Sequence, residues 1–269
     1  MKKAISTVHY YIRLSWLFAK YSLMEQMEYR VNFLAGIAVE CGYMLIKIMY
    51  AALILHAGVE INGLTVNEMI MCVGTYIMMT GLFMAVYPNF CVLPYSVQDG
   101  SLDILLTKPL NTQFFVTLRK LDFGMPIPNI VCGLVMIVYG WSSEDIPLTW
   151  LTFAGFVVYC VAGLFLTYCL FLIPELLSFW FVSNQGVHQL SEAIRDFDNV
   201  PMNVYPKWIQ RLGIFIIPVF IITNFPTLFV AQKLSAGLAV WGIIAPIIVF
   251  ALQRLVWREA LKQYTSASG

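Results

Sequence analysis

Between Leu148 and Phe181 the chain carries a single charged side chain, Glu175. A helix needs about 20 apolar residues to cross a hydrocarbon layer of roughly 30 Å, so this run exceeds one perpendicular crossing. It reads either as one long tilted helix kinked at Pro174 or as one span followed closely by part of another. A proline inside a membrane helix bends it without forcing a break. Similar runs occur at Val31–Leu55, Met69–Phe90, Leu121–Tyr139, Trp208–Val230 and Leu238–Val256, the third with Pro126 and Pro128 near its start. Hydrophobic residues make up 60% of the chain and charged ones 12%, against about 25% charged in an average soluble domain. No water-soluble core could hide so much apolar side chain. The expected architecture is therefore an all-α membrane protein with six transmembrane helices, the Trp208–Val230 run providing the fifth.

The basic residues orient these segments, because Lys and Arg concentrate on the cytoplasmic side. Lys2, Lys3, Arg13, Lys20 and Arg30 form one cluster, Lys108, Arg119 and Lys120 a second, and Arg254, Arg258 and Lys262 a third; together they hold 11 of the 16 basic residues. Two crossings separate the first two clusters and an even number must separate the last two, so six crossings are self-consistent and both termini lie in the cytoplasm. The connections around Glu60 and Asp145 contain acids and no bases, and face outside. Lys207 and Arg211 taken alone favour the cytoplasm, which leaves the side of residues 183–211 open. The start has a basic beginning but no compact apolar core before a small-residue cleavage site, so no cleaved signal peptide is read. Within residues 1–30, Ile5, Val8, Ile12, Trp16, Ala19, Leu23 and Met27 recur at helical spacing. They fit a helix lying on the inner membrane surface, although Leu14, Leu17 and Phe18 on the other side would also let it pack on the protein.

The six cysteines are scattered through apolar stretches without a CxxC, and read as core residues. With three dispersed histidines, no metal site is expected. Trp141, Trp150, Trp208 and Trp257 fall near span ends and read as interfacial anchors. Gly74 and Gly81, on one face of the second span, fit close helix packing. Glu40 and Lys47 share a face of the first span about 10 Å apart along its axis. A charge near the bilayer centre costs at least about 2.5–3.5 kcal/mol. Both, with Glu175, are candidates for lining a translocation path. The competing reading has Lys47 snorkelling to the interface and Glu40 protonated or paired with another helix.

The segment at 95–114 is the most informative. Gly100 permits a sharp turn, Ser101 can cap a helix and Asp103 sits where the helix dipole favours an acid. Leu102, Leu105 and Leu106 then share one face and Pro109 ends the helix after barely two turns. Such a piece is unstable alone in water, so its leucine face must be held by something else. It reads as a connector resting on the bilayer or as a coupling helix.

In order and spacing, GSLDILLTKPL resembles the stretch after the second span of type-2 ATP-binding-cassette permeases. VPMNVYPKWIQRL before the last span and WREALKQYTSAS at the end are similar to that family's pattern too. The resemblance implies a single permease domain over residues 1–269 that pairs with a second copy or a related chain. Two copies of a separate ATPase, carrying ATP and magnesium, would grip Gly100, Leu102, Asp103, Leu105, Leu106, Lys108 and Pro109. No cofactor would sit on this chain and nucleic acid is not an expected partner; membrane lipid is. The family's placement also implies an outer re-entrant region over 200–232; this chain departs from the pattern in that Arg195, Asp196 and Asp198 make the fifth span expected before it unusually polar. The expected location is the inner or plasma membrane of a bacterium. The sequence has no GxxxxGK[ST] loop to cradle phosphates. Two other classes remain open. A self-sufficient secondary transporter or channel would more often show repeated halves, and an intramembrane enzyme would need a catalytic constellation in place of isolated acids.

Overall fold

The computed structural model describes residues 2–58, 60–181 and 199–264, with Gly186, Gln189, Ala193 and Phe197 between them. Its helices are α1 (Lys2–Glu28), α2 (Arg30–Ala57), α3 (Val66–Met84), α4 (Tyr87–Gln98), α5 (Leu102–Leu106), α6 (Thr112–Leu118), α7 (Pro126–Ser143), α8 (Trp150–Glu175), α9 (Lys207–Arg211), α10 (Val219–Val230) and α11 (Ala236–Gln263). A 3₁₀ turn, Leu176–Phe179, prolongs α8, and a π-turn, Leu212–Ile216, prolongs α9. The chain is 80% helical and has no strand among the described residues. It is an all-α membrane protein, in which α2, α3, α7, α8 and α11 are long and apolar enough to cross a bilayer.

Local chemistry sets the helix boundaries. Thr65 and Glu68 form a reciprocal capping box at the start of α3, and Thr149 with Thr152 does the same for α8. These side chains satisfy amide groups that a helix start leaves unpaired. Pro126 opens α7, where its missing N–H costs nothing. The third span therefore begins at the proline and reaches Ser143, rather than beginning at Leu121 and being broken. The second apolar run divides at Ala85 and Val86 into α3 and α4, with Pro88 in the first turn of α4.

Close contact between α3 and α7 forms the spine of the fold, and glycine makes it close. A Cβ added at Gly133 would lie 2.5 Å from the Met78 nitrogen and 2.6 Å from the Gly74 oxygen. One at Gly74 would meet Met136 Cβ at 2.7 Å, and Gly140 and Gly81 are equally tight. The expected Gly74/Gly81 stripe thus meets a second glycine stripe, Gly133/Gly140, at the same seven-residue spacing. With lipid as solvent, such small-residue seams let dispersion contacts hold two backbones together.

Helix α10 sits inside the molecule against α3, α8 and α11, and Phe220, Ile221, Phe225 and Thr227 are wholly enclosed. Gly163 of α8 admits the α10 backbone and Gly242 of α11 admits Phe225. At 12 residues, α10 is about 18 Å long, too short to span. It meets the α9 segment at a bend of 104°. Both flanks of this pair lie at the end of the molecule opposite α5. Asn203 and Asn62 exchange hydrogen bonds of 2.7 and 2.9 Å, and Lys233 donates to the Gly63 carbonyl and pairs with Glu68. Phe179, by contrast, packs at the α5 end with Trp257 and Ala260. Phe179 and Met202 accordingly lie at opposite ends of the molecule, and the Trp208–Val230 run leaves and returns at the same end. This corrects the expected fifth segment. Arg195, Asp196 and Asp198 lie outside the described residues.

Helix α1 uses two faces. Tyr11 and Phe18 meet Phe114 and Phe115 of α6 through ring contacts, Ser22 accepts from the Leu121 N–H, and Gln26 bonds both Leu121 and Phe123. Ile12, Trp16, Leu23 and Met27 stay exposed, which leaves an apolar strip for the membrane surface. Trp150 and Trp208 are exposed as anchors would be, whereas Trp257 is buried beneath α5. Among the cysteines, Cys72, Cys132 and Cys169 are buried, Cys160 is half-buried and Cys41 is exposed.

Candidate coupling site

Gly100 adopts φ +75°, the left-handed conformation that only glycine takes without strain, and turns the chain out of α4. Ser101 does not cap the helix as expected. Its backbone is already helical, and its N–H instead donates to Asp99 Oδ1 at 2.8 Å. That bond holds the Asp99 carboxyl below the usual carboxylate range. The helix then runs only from Leu102 to Leu106 before Thr107, Lys108 and Pro109 end it.

The structure splits the expected leucine face. Leu102 is fully enclosed and Leu105 is buried, while Leu106 is 39% exposed and Ile104 is 64% exposed. Leu102 and Leu105 enter a cluster with Phe83 of α3, Phe90 and Leu93 of α4, Phe115 of α6, Leu172 and Leu176 at the end of α8, and Trp257 of α11. Their burial stabilises α5 by about 1.5–3 kcal/mol per side chain, enough to order a helix too short to persist alone. Tyr264, just past α11, packs on the same cluster. Burial, and then the neighbouring carboxylates of Asp103 and Asp99, push its phenol pKa above the ordinary value.

The outward rim consists of Ile104, Leu106, Lys108 and Pro109, all exposed. Lys108 Nζ lies 4.8 Å from the ring centre of Phe115, a cation–π contact of about 0.5–1 kcal/mol at such a site. Ile104 escaped the sequence reading because it breaks the leucine pattern. Its position between two inward leucines is the signal that could have revealed it.

A polar network behind α6 ties the segment to two spans. Arg254 donates to Gln113 Oε1, and Gln113 Nε2 donates to Tyr168 Oη at 2.7 Å and to Gln253 Oε1 at 3.0 Å. Since arginine can only donate, the Gln113 amide orientation follows from its partner.

The candidate path residues separate into two places. Glu40 and Lys47 both turn toward α7. Asn129 Nδ2 donates to Glu40 Oε2 at 2.8 Å, and Lys47 Nζ donates to Asn129 Oδ1 at 2.9 Å. Glu40 is thus partnered through another helix, as the competing reading had it, while Lys47 turns inward instead of snorkelling. Asn129, fully buried, was not singled out because a lone asparagine near two prolines reads as a helix start. Glu175 is buried on a different helix, at the α5 end of α8, where its carbonyl accepts from Ser178 Oγ.

A family model described as ABC-2 family transporter protein matches residues 41–268, so it covers the later part of α2, the other four spans and the α5 segment together. The chain belongs to the ABC-2 transporter family. No curated protein and no solved structure matches it. As an ABC-2 family membrane domain it is a multi-pass transporter permease, and the family's general dependence on an ATP-binding-cassette partner directs attention to the exposed rim of α5.

Proposed function

We propose that this chain is the membrane subunit of an ATP-driven exporter, and that a separate ATPase docks on the rim Ile104, Leu106, Lys108 and Pro109. The observation that carries the reading is the division of α5 itself. One face is free for a partner, while the other is embedded in a cluster joining the same ends of α3, α4, α8 and α11. Force applied to α5 reaches four helices through packed side chains, which resist deformation. The α5 end with α1 faces the cytoplasm, the α9–α10 pair re-enters from outside, and two permeases, identical or related, pair around the path. Gly100 and Asp103 shape the handle without touching the motor. Glu40 and Lys47 hold α2 to α7 at the wall of the path, and Glu175 sits at its inner mouth. ATP and magnesium belong to the partner.

The test is purification of this chain in mild detergent with the products of its neighbouring genes, identification of any ATP-binding subunit that comes with it, and then transport in proteoliposomes. Ile104→Asp with Leu106→Asp should leave the permease inserted and folded but lower ATP-driven transport at least tenfold. Undiminished transport by that variant, or transport by the lone chain, would rule the mechanism out.

A further inference from the structure

Beside α6, at the α5 end, lies a cavity of about 510 Å³ whose wall includes Arg254, Gln113, Tyr168, Tyr11, Phe114 and Phe250. Its hydrogen-bonding groups are out of balance. Arg254 has five N–H donors, and its hydrogen bond goes to Gln113 Oε1. No carboxylate among the described residues pairs with it. Gln113 Nε2 donates to Tyr168 in the wall and to Gln253 behind it. Tyr11 Oη accepts from the Asn111 N–H and retains a proton to donate, whereas Tyr168 Oη accepts from Gln113 and is also bonded to Thr117. Behind Gln113, the Nε2 of Gln253 is completely buried without an acceptor. A buried polar group left in this way costs about 1–3 kcal/mol. Arg254 brings a cation and unused donors to this wall, whose acceptors are the neutral oxygens of Asn111, Thr117 and Gln113, and no carboxylate lines it.

Its depth is also defined. Arg254 lies 18 residues beyond Ala236, the first residue of α11, or about 27 Å along the helix. In a hydrocarbon layer of roughly 30 Å this is headgroup depth. Phe250, one turn earlier, and Phe114 supply apolar wall for an acyl chain.

We infer that this cavity binds an anionic phospholipid from the leaflet at the α5 end, with the phosphate held by Arg254 and the Tyr11 hydroxyl and the acyl part against Phe250 and Phe114. The lipid would occupy the gap between α1, α6, α8 and α11. It would then brace the segment that carries α5. The inference rests on the membrane orientation given above but not on the ATPase.

The experiment uses the purified full chain and Arg254→Gln in a non-ionic detergent. Each is titrated with dioctanoyl phosphatidylglycerol, dioctanoylglycerol and inorganic phosphate, and bound species are read by native mass spectrometry. The phospholipid should bind saturably and at least tenfold more weakly to the variant, with Arg254→Lys retaining part of the affinity. Dioctanoylglycerol and inorganic phosphate should each bind at least tenfold more weakly than the phospholipid. Equal phospholipid affinity in wild type and Arg254→Gln overturns the inference. So does phosphate binding as tightly as the lipid, which would mark a soluble-anion site, or dioctanoylglycerol doing so, which would mark an apolar groove. If Arg254→Gln does not fold, Tyr11→Phe replaces it and should weaken phospholipid binding at least threefold; unchanged affinity there is equally fatal. Lipid binding without a co-purifying ATPase would retire the exporter reading alone, and the reverse pattern would retire this site alone.

Discussion

Asn129 bonds Glu40, Lys47 and the Met125 carbonyl from a position with no exposed surface. Lysine only donates and a carboxylate only accepts, so the amide must present Oδ1 to one and Nδ2 to the other, and no apolar residue can replace it. The two charged groups need this contact because a charge inside a membrane span is costly unless a polar partner meets it. Asn129→Ala should therefore destabilise the protein by about 1–3 kcal/mol, the penalty for stranding buried polar groups. Glu40→Gln keeps an oxygen where Nδ2 donates and should cost less than Asn129→Ala. Unfolding in mixed micelles measures both, and an alanine variant as stable as wild type would show that the network is incidental. The charges themselves were evident from the sequence, because Glu40 and Lys47 interrupt an apolar run. Their partner was not, since nothing local to residue 129 indicates which helix will lie against it.

At the level of single helices, α5 separates stability from coupling. Leu102→Ala empties a fully enclosed position and should cost about 2–5 kcal/mol. Ile104→Ala, at an exposed position, should stay within about 0.5 kcal/mol of wild type yet lower ATP-driven transport several-fold. Equal effects of both changes on unfolding would contradict the two-faced arrangement. The α3–α7 seam makes a different demand, because at Gly133 the nearest atoms are backbone and cannot swing aside. Gly133→Ala should cost about 1–3 kcal/mol through overpacking, read by the same unfolding assay, while Gly36→Ala, with nothing near its Cβ, should be neutral. The turn at Gly100 and the stop at Pro109 were legible because both act within a few residues. Which leucines face inward depends on what lies beneath them, and over five residues helical periodicity cannot decide it. The Gly133/Gly140 spacing was visible in the sequence; only its pairing with Gly74 and Gly81 required the fold.

For the whole molecule, hydropathy located the long spans but misassigned the crossing that joins α8 to α11. The misassignment has a physical cause. Apolar composition reports burial away from water, and α10 is apolar because protein encloses it, not because it traverses lipid. Arg195, Asp196 and Asp198 fall in sequence between Phe179 and Met202, and such charges lower a hydropathy score whatever their surroundings. Contacts at the two ends distinguish these cases, since Asn203 and Lys233 meet the Asn62–Glu68 region while Phe179 meets the α5 cluster. Lys207 must then lie on the same side as Asn62, although its charge alone would place it with the basic clusters. In a background lacking the six native cysteines, Asn62→Cys and Lys207→Cys should react with a membrane-impermeant thiol reagent added outside intact cells, and Ile104→Cys only after the membrane is opened. Labelling of Lys207→Cys together with Ile104→Cys would remove the crossing between 179 and 202. It would make the α9–α10 pair a broken span, and the two ends of α10 could no longer be tied to one surface.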